Sequence, residues 1–307
     1  MAKVSVVVSV YFNEQSLAPL FSEMIVLEQR LKEIGHSLEL IFVDDGSGDD
    51  SLQELLKIKR QRESTRVVKL TRNFGAIHAT KVGFGLVTGD CFMVLAADLQ
   101  DPPLLILDMV AKWEAGSKYI ICVRTVRNDP VWSRLFAGIY YVLLRLFVLK
   151  DYPRGGFDLA LMDRTLLPYL QTCSKNIYTP LYHYWLGFKP EIIYYTRRKR
   201  LYGKSRWTFV KKVKAFLDAI LGFSIVPLRA ISVVGFVVSL LSFGYGVLII
   251  VNTLYGHTEV RGFAAIVTLI AFLVGMVIIM LGIIGEYLWR IFDETNKRPE
   301  AVIDEIL

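Results

Sequence analysis

Val94-Leu95-Ala96-Ala97-Asp98-Leu99-Gln100-Asp101-Pro102-Pro103 carries an apolar run into a carboxylate, an amide, a second carboxylate and two prolines. A short apolar run bounded by turn residues reads as a buried strand. Pro102 and Pro103 cannot donate to a ladder, so the strand ends at Asp98. Asp98, Gln100 and Asp101 then stand in a stiff turn at the strand's carboxyl edge, where open α/β sheets hold their ligands. Their oxygens suit a hard divalent cation. Asp and Pro are also ordinary turn formers, so on these ten residues alone a plain acidic turn stays open.

Working outward, short apolar runs alternate with helical spacing. Residues 4–10 and 38–43 are apolar or β-branched, and between them Leu17, Leu20, Met24, Leu27 and Leu31 mark one helix face over residues 16–34. The alternation continues with a helix near 50–62, a strand at 66–70, a helix near 77–87, the strand 91–97, a helix near 103–115 and a strand at 119–123. This order predicts an α/β fold with a Rossmann-like, mostly parallel sheet and helices on both faces.

A second acidic cluster, Asp44-Asp45-Gly46-Ser47-Gly48-Asp49-Asp50, closes the second strand. Carboxylates there can accept hydrogen bonds from a base imide or from ribose hydroxyls, and Gly46 and Gly48 let the backbone come close. Helix capping accounts for Asp49 or Asp50 but poorly for the pair Asp44 and Asp45. Thr71-Arg72-Asn73-Phe74-Gly75-Ala76-Ile77-His78-Ala79 opens the next helix, so Arg72 and free N–H groups lie near the same edge. An arginine with a helix N-terminus favours an anion such as a diphosphate. His78 reads as a surface or packing residue of that helix. Neither a phosphate-binding Gly-x-x-x-x-Gly-Lys-Ser loop nor a Gly-x-Gly-x-x-Gly after the first strand is present, which argues against P-loop nucleotidases and dinucleotide enzymes.

The chain has 307 residues, 53% of them hydrophobic, and its mean hydropathy of +0.42 is too high for a soluble protein. Residues 230–256 and 262–285 contain no Asp, Glu, Lys or Arg, and each run exceeds the roughly 20 residues that cross a bilayer as a helix. Arg197, Arg198, Lys199, Arg200, Lys204, Arg206, Lys211, Lys212, Lys214 and Arg229 precede the first run, and Arg290, Lys297 and Arg298 follow the second. By the positive-inside rule both termini are expected in the cytoplasm, with an outer turn at about 253–262. No secretory signal is read at the N-terminus, where the apolar run after Met1-Ala2-Lys3 is too short. The net charge of +7 is read as a juxtamembrane excess facing anionic lipid, with nucleic-acid binding disfavoured. Two further segments, 130–149 and 207–223, are expected as amphipathic interfacial helices, with packed core helices as the alternative. Cys91, Cys122 and Cys173 lack metal-like spacing and read as reduced packing residues. Gly235, Ser239, Ser242, Gly246, Gly275, Gly282 and Gly285 permit close helix packing in the apolar runs, from which a homo-oligomer is expected.

The segments Ser9-Val10-Tyr11-Phe12-Asn13-Glu14, Val43-Asp44-Asp45-Gly46-Ser47, Arg72-Asn73-Phe74-Gly75 and Asp98-Leu99-Gln100-Asp101-Pro102-Pro103 together resemble, in their order, the family-2 glycosyltransferases of GT-A fold. The resemblance is greatest to the polyprenyl-phosphate glycosyltransferases, which include dolichyl-phosphate mannose synthase and the bacterial, membrane-anchored O-antigen glucosyltransferases. It implies a GT-A catalytic domain over residues 1–200 with an interfacial helix at about 130–149. A mobile loop and amphipathic juxtamembrane helix would follow over 201–226, then two transmembrane helices within 227–290 (about 230–253 and 263–286) and a short polar cytoplasmic tail over 291–307. An integral protein of the bacterial plasma membrane is the implied setting.

The implied reaction is inverting transfer of a hexose, with UDP-glucose the favoured donor, to polyprenyl phosphate. GDP-mannose, UDP-GlcNAc and UDP-amino-arabinose stand behind it as donors, and a non-catalytic membrane scaffold retaining the fold is the rival class. Carried over by the resemblance, Ser9, Tyr11, Asn13, Glu14, Asp44, Asp45, Arg72, Gly75, Ala97 and Asp98 would hold the nucleotide sugar. Asp98 and Gln100 would hold Mg2+ or Mn2+ on the diphosphate. The family often has a carboxylate two residues before Asp98; here that residue is Ala96, which implies weak metal affinity without donor. Asp158, in Arg154-Gly155-Gly156-Phe157-Asp158, resembles the acceptor-side carboxylate and joins Asp98 as a candidate catalytic residue. Arg124 and Arg134 are candidates for the lipid phosphate. Lys204, Ser205 and Arg206 resemble the loop that closes over the diphosphate.

Overall fold

The computed structural model of the protein describes residues 1–125, 131–175, 177–202, 216–255 and 262–307. They fall into two compact units, one of residues 1–219 with 299–307 and the other of residues 220–298.

The first unit is built on β1 (Lys3–Val10), β2 (Ser37–Asp44), β3 (Arg66–Leu70), β4 (Cys91–Ala96), β5 (Tyr119–Arg124), β6 (Leu159–Asp163), β7 (Glu191–Tyr195) and β8 (Ile303–Ile306), in the sheet order β7-β5-β6-β4-β1-β2-β3-β8. Pairing is parallel between β1 and β2, β1 and β4, β2 and β3, and β5 and β7; only β6 and β8 run against their neighbours. The expected mostly parallel sheet is therefore present. Both faces are covered, which is why the strands read as unbroken apolar runs. Val4, Val6, Val8 and Val10 of β1 enter one core layer, with α1 (Glu14–Glu33), α2 (Ser51–Gln61) and α4 (Leu105–Glu114). Val7 faces the opposite layer, against α3 (Ala76–Phe84) and α6 (Leu167–Gln171). The helices α5 (Val131–Phe147) and α7 (Thr179–Trp185) complete the unit's long described elements. The three cysteines are buried and unpaired, and burial pushes the Cys91 and Cys122 thiols up to about 12, so both are inert packing groups.

Strand register is what assembles a site. Ser9 pairs with Ala96 and Val10 with Asp44, so β1, β2 and β4 end level with one another. Arg124 pairs with Tyr195, and β6 starts at Leu159 opposite Cys122, so Arg124, Asp158 and Tyr195 come to the same sheet edge. Gly46 has a left-handed φ of +67°, and a Cβ there would lie 2.5 Å from the carbonyl carbon of Arg72. The loops after β2 and β3 thus touch backbone to backbone at a position only glycine fills without strain.

The segment after residue 290 departs from the expected short polar tail. Ile303–Ile306 forms β8, antiparallel to β3, and caps the sheet edge. An open edge of β3 supplies the ladder that a four-residue run lacks on its own.

The second unit holds α8 (Val226–Leu254) and α9 (Phe263–Thr295), of 29 and 33 residues. Both contain stretches long and apolar enough to cross a membrane. Gly235 accommodates Met280 of α9, whose Cε would stand 2.8 Å from an added Cβ, and Tyr287 donates a hydrogen bond to the Ser224 carbonyl at 3.0 Å.

Candidate active site

An open cleft of about 900 Å³ lies along the carboxyl edge of the parallel strands, a volume that suits a small-molecule ligand. Ser9, Tyr11, Asn13, Glu14, Asp45, Gly75, Ala97 and Asp98 all line it. Asp45, 2% exposed, accepts hydrogen bonds from the backbone N–H groups of Phe74 (2.7 Å) and Gly75 (2.9 Å). It thereby pins the start of α3 to the end of β2. Burial raises its carboxyl above the ordinary aspartate range despite these two bonds. Asp44 points elsewhere: it is buried, accepts from the Ser47 N–H at 3.3 Å and is absent from the cleft lining. Arg72 is likewise off the lining, its guanidinium stacked 4.2 Å from the Phe74 ring centroid.

The turn after β4 is a local device. Asp98 Oδ1 accepts from the Gln100 N–H at 3.2 Å, an Asx turn, and Leu99 between them adopts a left-handed φ of 58°. For a non-glycine residue that conformation costs about 1–2 kcal/mol, and burial of the Leu99 side chain (4% exposed) holds it there. Asp98 and Gln100 consequently face the same way, since one Arg200 Nη2 lies 2.6 Å from Asp98 Oδ2 and 3.4 Å from Gln100 Oε1.

Beside this turn sits a balanced ion cluster. Arg124 holds both oxygens of Asp158 in a bidentate pair. Arg197 Nε lies 3.0 Å from Asp101 Oδ1, and the Tyr195 hydroxyl donates to Asp101 Oδ1 at 2.6 Å with Asp158 Oδ2 at 3.0 Å. Burial lowers and Asp158 raises the Arg124 affinity for its proton, and the pairing wins. Burial lifts the Asp101 carboxyl above its ordinary range against the pull of Arg197. Two arginines thus stand against two aspartates, and Asp158 accepts from both Arg124 and Tyr195. Asp158→Asn keeps one of the two acceptors for Arg124 and turns an amide N–H toward the other guanidinium nitrogen; it is expected to slow the reaction about tenfold, the strength of one charge-assisted bond of the pair. Initial rates with a folded variant check this; a complete loss would identify Asp158 as a base.

Arg197, Arg198 and Arg200 correct the reading of residues 197–200 as a lipid-facing basic patch. They pair with Asp101, Glu23 and Asp98 respectively, at 3.0, 2.6 and 2.6 Å. The strand-end edge carries more carboxylates than nearby sequence can neutralise, and this run supplies the counter-charge. Nothing local in the sequence marks these pairs; the signal available was the acid surplus at Asp98, Asp101 and Asp158. His78, read as a surface or packing residue of its helix, lines the cleft, as do Asn73, Tyr178 and Tyr202. Gly156, with φ +66°, leaves room for the Tyr141 ring, whose Cε1 would stand 2.9 Å from an added Cβ. The Arg134 side chain and residues Lys204, Ser205 and Arg206 lie outside the described residues.

The sequence profile of "Glycosyl transferase family 2" matches residues 5–168, the span that contributes most of this cleft. The chain belongs to glycosyl transferase family 2. It is 32% identical to an uncharacterized glycosyltransferase of Synechocystis over 99% of this chain and 95% of that one. It is 30% identical to the bactoprenol glucosyl transferase of Shigella phage SfV over 98% of each chain. Among solved structures, glucosyl-3-phosphoglycerate synthase from Mycobacterium tuberculosis superposes with a TM-score of 0.50 at 16% identity, covering 71% of this chain and 80% of that one. This likeness shows the fold alone. The GT-A fold implied by the ordered motifs is the fold of this family-2 glycosyltransferase.

Proposed function

We propose that this glycosyltransferase moves a hexose, with inversion, from a nucleotide diphosphate donor to polyprenyl phosphate at the cytoplasmic face of the bacterial plasma membrane, with UDP-glucose as donor. The observation that carries the reading is the union, in one chain, of a donor-sized cleft and two helices whose apolar side chains are exposed. Phe236, Leu241 and Phe243 on α8 and Phe272, Ile278 and Ile279 on α9 all face outward, a surface that water does not tolerate and lipid does. Relatives named as bactoprenol glucosyl transferases share this whole length. Because the chain leaves the catalytic unit at residue 219 and rejoins it at 299, a hairpin that crosses the bilayer keeps both termini on one side.

A lipid phosphate is a monoester with a second pKa of about 6, so near neutral pH it attacks the anomeric carbon with little help from a base. The protein's task is charge. Asp98 and Gln100 present a carboxylate and an amide oxygen side by side, a hard donor set that fits Mg2+ or Mn2+ with retained waters. A cation held there would offset charge on the leaving diphosphate. Asp45 fixes the start of α3 beside the cleft, and Arg124 is the cation we assign to the acceptor phosphate. The test is incubation of purified protein with undecaprenyl phosphate, Mg2+ and radiolabelled UDP-glucose, UDP-galactose, UDP-GlcNAc or GDP-mannose. Label in the organic phase from UDP-glucose is expected. Label from another donor alone corrects the sugar, and none from any donor overturns the reading.

A further inference from the structure

We infer that Arg200 is the resident counter-ion of the cation site, so that a divalent cation binds Asp98 only as the guanidinium leaves. The inference rests on reading Asp98 as the cation's carboxylate. Both oxygens that would hold the ion are already engaged: Arg200 Nη2 reaches Asp98 Oδ2 at 2.6 Å and Gln100 Oε1 at 3.4 Å. Asp98 Oδ1 is taken by the Gln100 N–H. A guanidinium and a divalent ion cannot share one carboxylate oxygen without like charges standing a few ångströms apart.

Among the described residues Arg200 pairs with no carboxylate other than Asp98. Asp101 and Asp158 are served by Arg197, Arg124 and Tyr195, and among the described residues the ion pair of Asp98 is with Arg200. The contact is placed by the backbone, because the Arg198 N–H donates to the Gln100 carbonyl at 2.9 Å and ties this segment to the turn. Exposure separates the two arginines flanking that tie. Arg197 is 22% exposed over an Asp101 side chain that is 3% exposed, whereas Arg200 is 30% exposed over an Asp98 side chain that is 11% exposed, and of the two only Arg200 lines the open cleft into which it can swing. When the competent form of a site is only partly populated, the apparent affinity falls by that fraction. The wild-type enzyme would therefore bind a free cation poorly and the cation with donor phosphates well, since the phosphates offer the released guanidinium an anion. By reciprocity, whatever removes the guanidinium strengthens cation binding.

Mn2+ binding to the full-length protein in detergent, followed by the electron paramagnetic resonance signal of free Mn2+, tests this without catalysis. Wild type, Arg200→Gln, Arg200→Met, Arg200→Lys and the double variant Asp98→Asn with Arg200→Gln are titrated with and without UDP. Without UDP, the Gln and Met variants are expected to bind Mn2+ at least about tenfold tighter than wild type. The Lys variant, still charged, stays weak, and the double variant loses the gain. UDP narrows the difference by raising the wild-type affinity. If the neutral variants bind no tighter while UDP still raises the wild-type affinity, the counter-ion role is overturned and the cation site stands. If wild type binds no Mn2+ with or without UDP, the cation site itself is wrong, and the inference falls with it.

Discussion

Asp98→Ala is expected to lower glycosyl transfer by about a thousandfold while the protein stays folded. Removing a single preorganised electrostatic partner of a developing charge costs roughly 10²–10³ in rate, and among the described residues Asp98 belongs to no cluster of three or more metal-binding side chains. Two residues earlier stands Ala96, and Asp101 is spent on Arg197 and Tyr195. The structural cost is small, because Arg200 is 30% exposed and water replaces its lost partner. Rates of lipid-linked product and thermal melting in the same detergent separate the two effects. A folded Asp98→Ala protein that keeps a tenth of wild-type activity would remove Asp98 from the chemistry. Asp158→Asn is the control: its amide can still accept from Arg124, so the two aspartates are expected to differ by about a hundredfold in their effect.

The strand-end residues were legible because three apolar runs stop at polar turns, and parallel strands that stop level bring those turns together. Tyr11, Asp45 and Asp98 follow from that alone, through the pairings of Val10 with Asp44 and Ser9 with Ala96. What each carboxylate touches was not legible. Asp44 and Asp45 are adjacent in sequence, yet only Asp45 lines the cleft, while Asp44 at the last position of β2 turns to the Ser47 N–H. The partners of Asp98, Asp101 and Asp158 sit in the chain some 34 to 102 residues away. No local pattern encodes such a pairing. Strand β8 was illegible for a different reason. Ile303-Asp304-Glu305-Ile306 is short, half acidic and exposed, and it becomes a strand because β3 offers an unpaired edge.

Glu300→Ala is expected to destabilise the catalytic unit by about 3 kcal/mol, the low end for breaking a buried ion pair. Lys81 on α3 is only 7% exposed, and its ammonium has the Glu300 carboxylate at 2.6 Å and the Cys173 carbonyl at 2.9 Å. Glu300 also lies 3.3 Å from His78 Nδ1. Truncation leaves a desolvated ammonium on a single carbonyl. For a domain of this size the shift corresponds to roughly 6–12 °C in melting temperature. Asp304→Ala, which removes the solvent-screened pair with Lys69, should leave the melting temperature nearly unchanged. Equal effects from the two would mean that the β8 ladder, not the Lys81 pair, sets the stability. Burial pushes the Glu300 carboxyl up, but His78 and Lys81 outweigh it and hold it below the ordinary glutamate range. A depressed carboxyl stabilises fully above the unfolded value of about 4.3 and loses that contribution as pH falls through its folded value. The gap between wild type and Glu300→Ala should therefore be flat from about pH 7 to pH 5 and close below pH 4. Because the first turn of α3 also presents Ala76, Ile77 and His78 to the cleft, the variant is expected to raise the donor KM while kcat at saturating donor changes little. A kcat loss at unchanged KM would place Glu300 outside the donor side of the site.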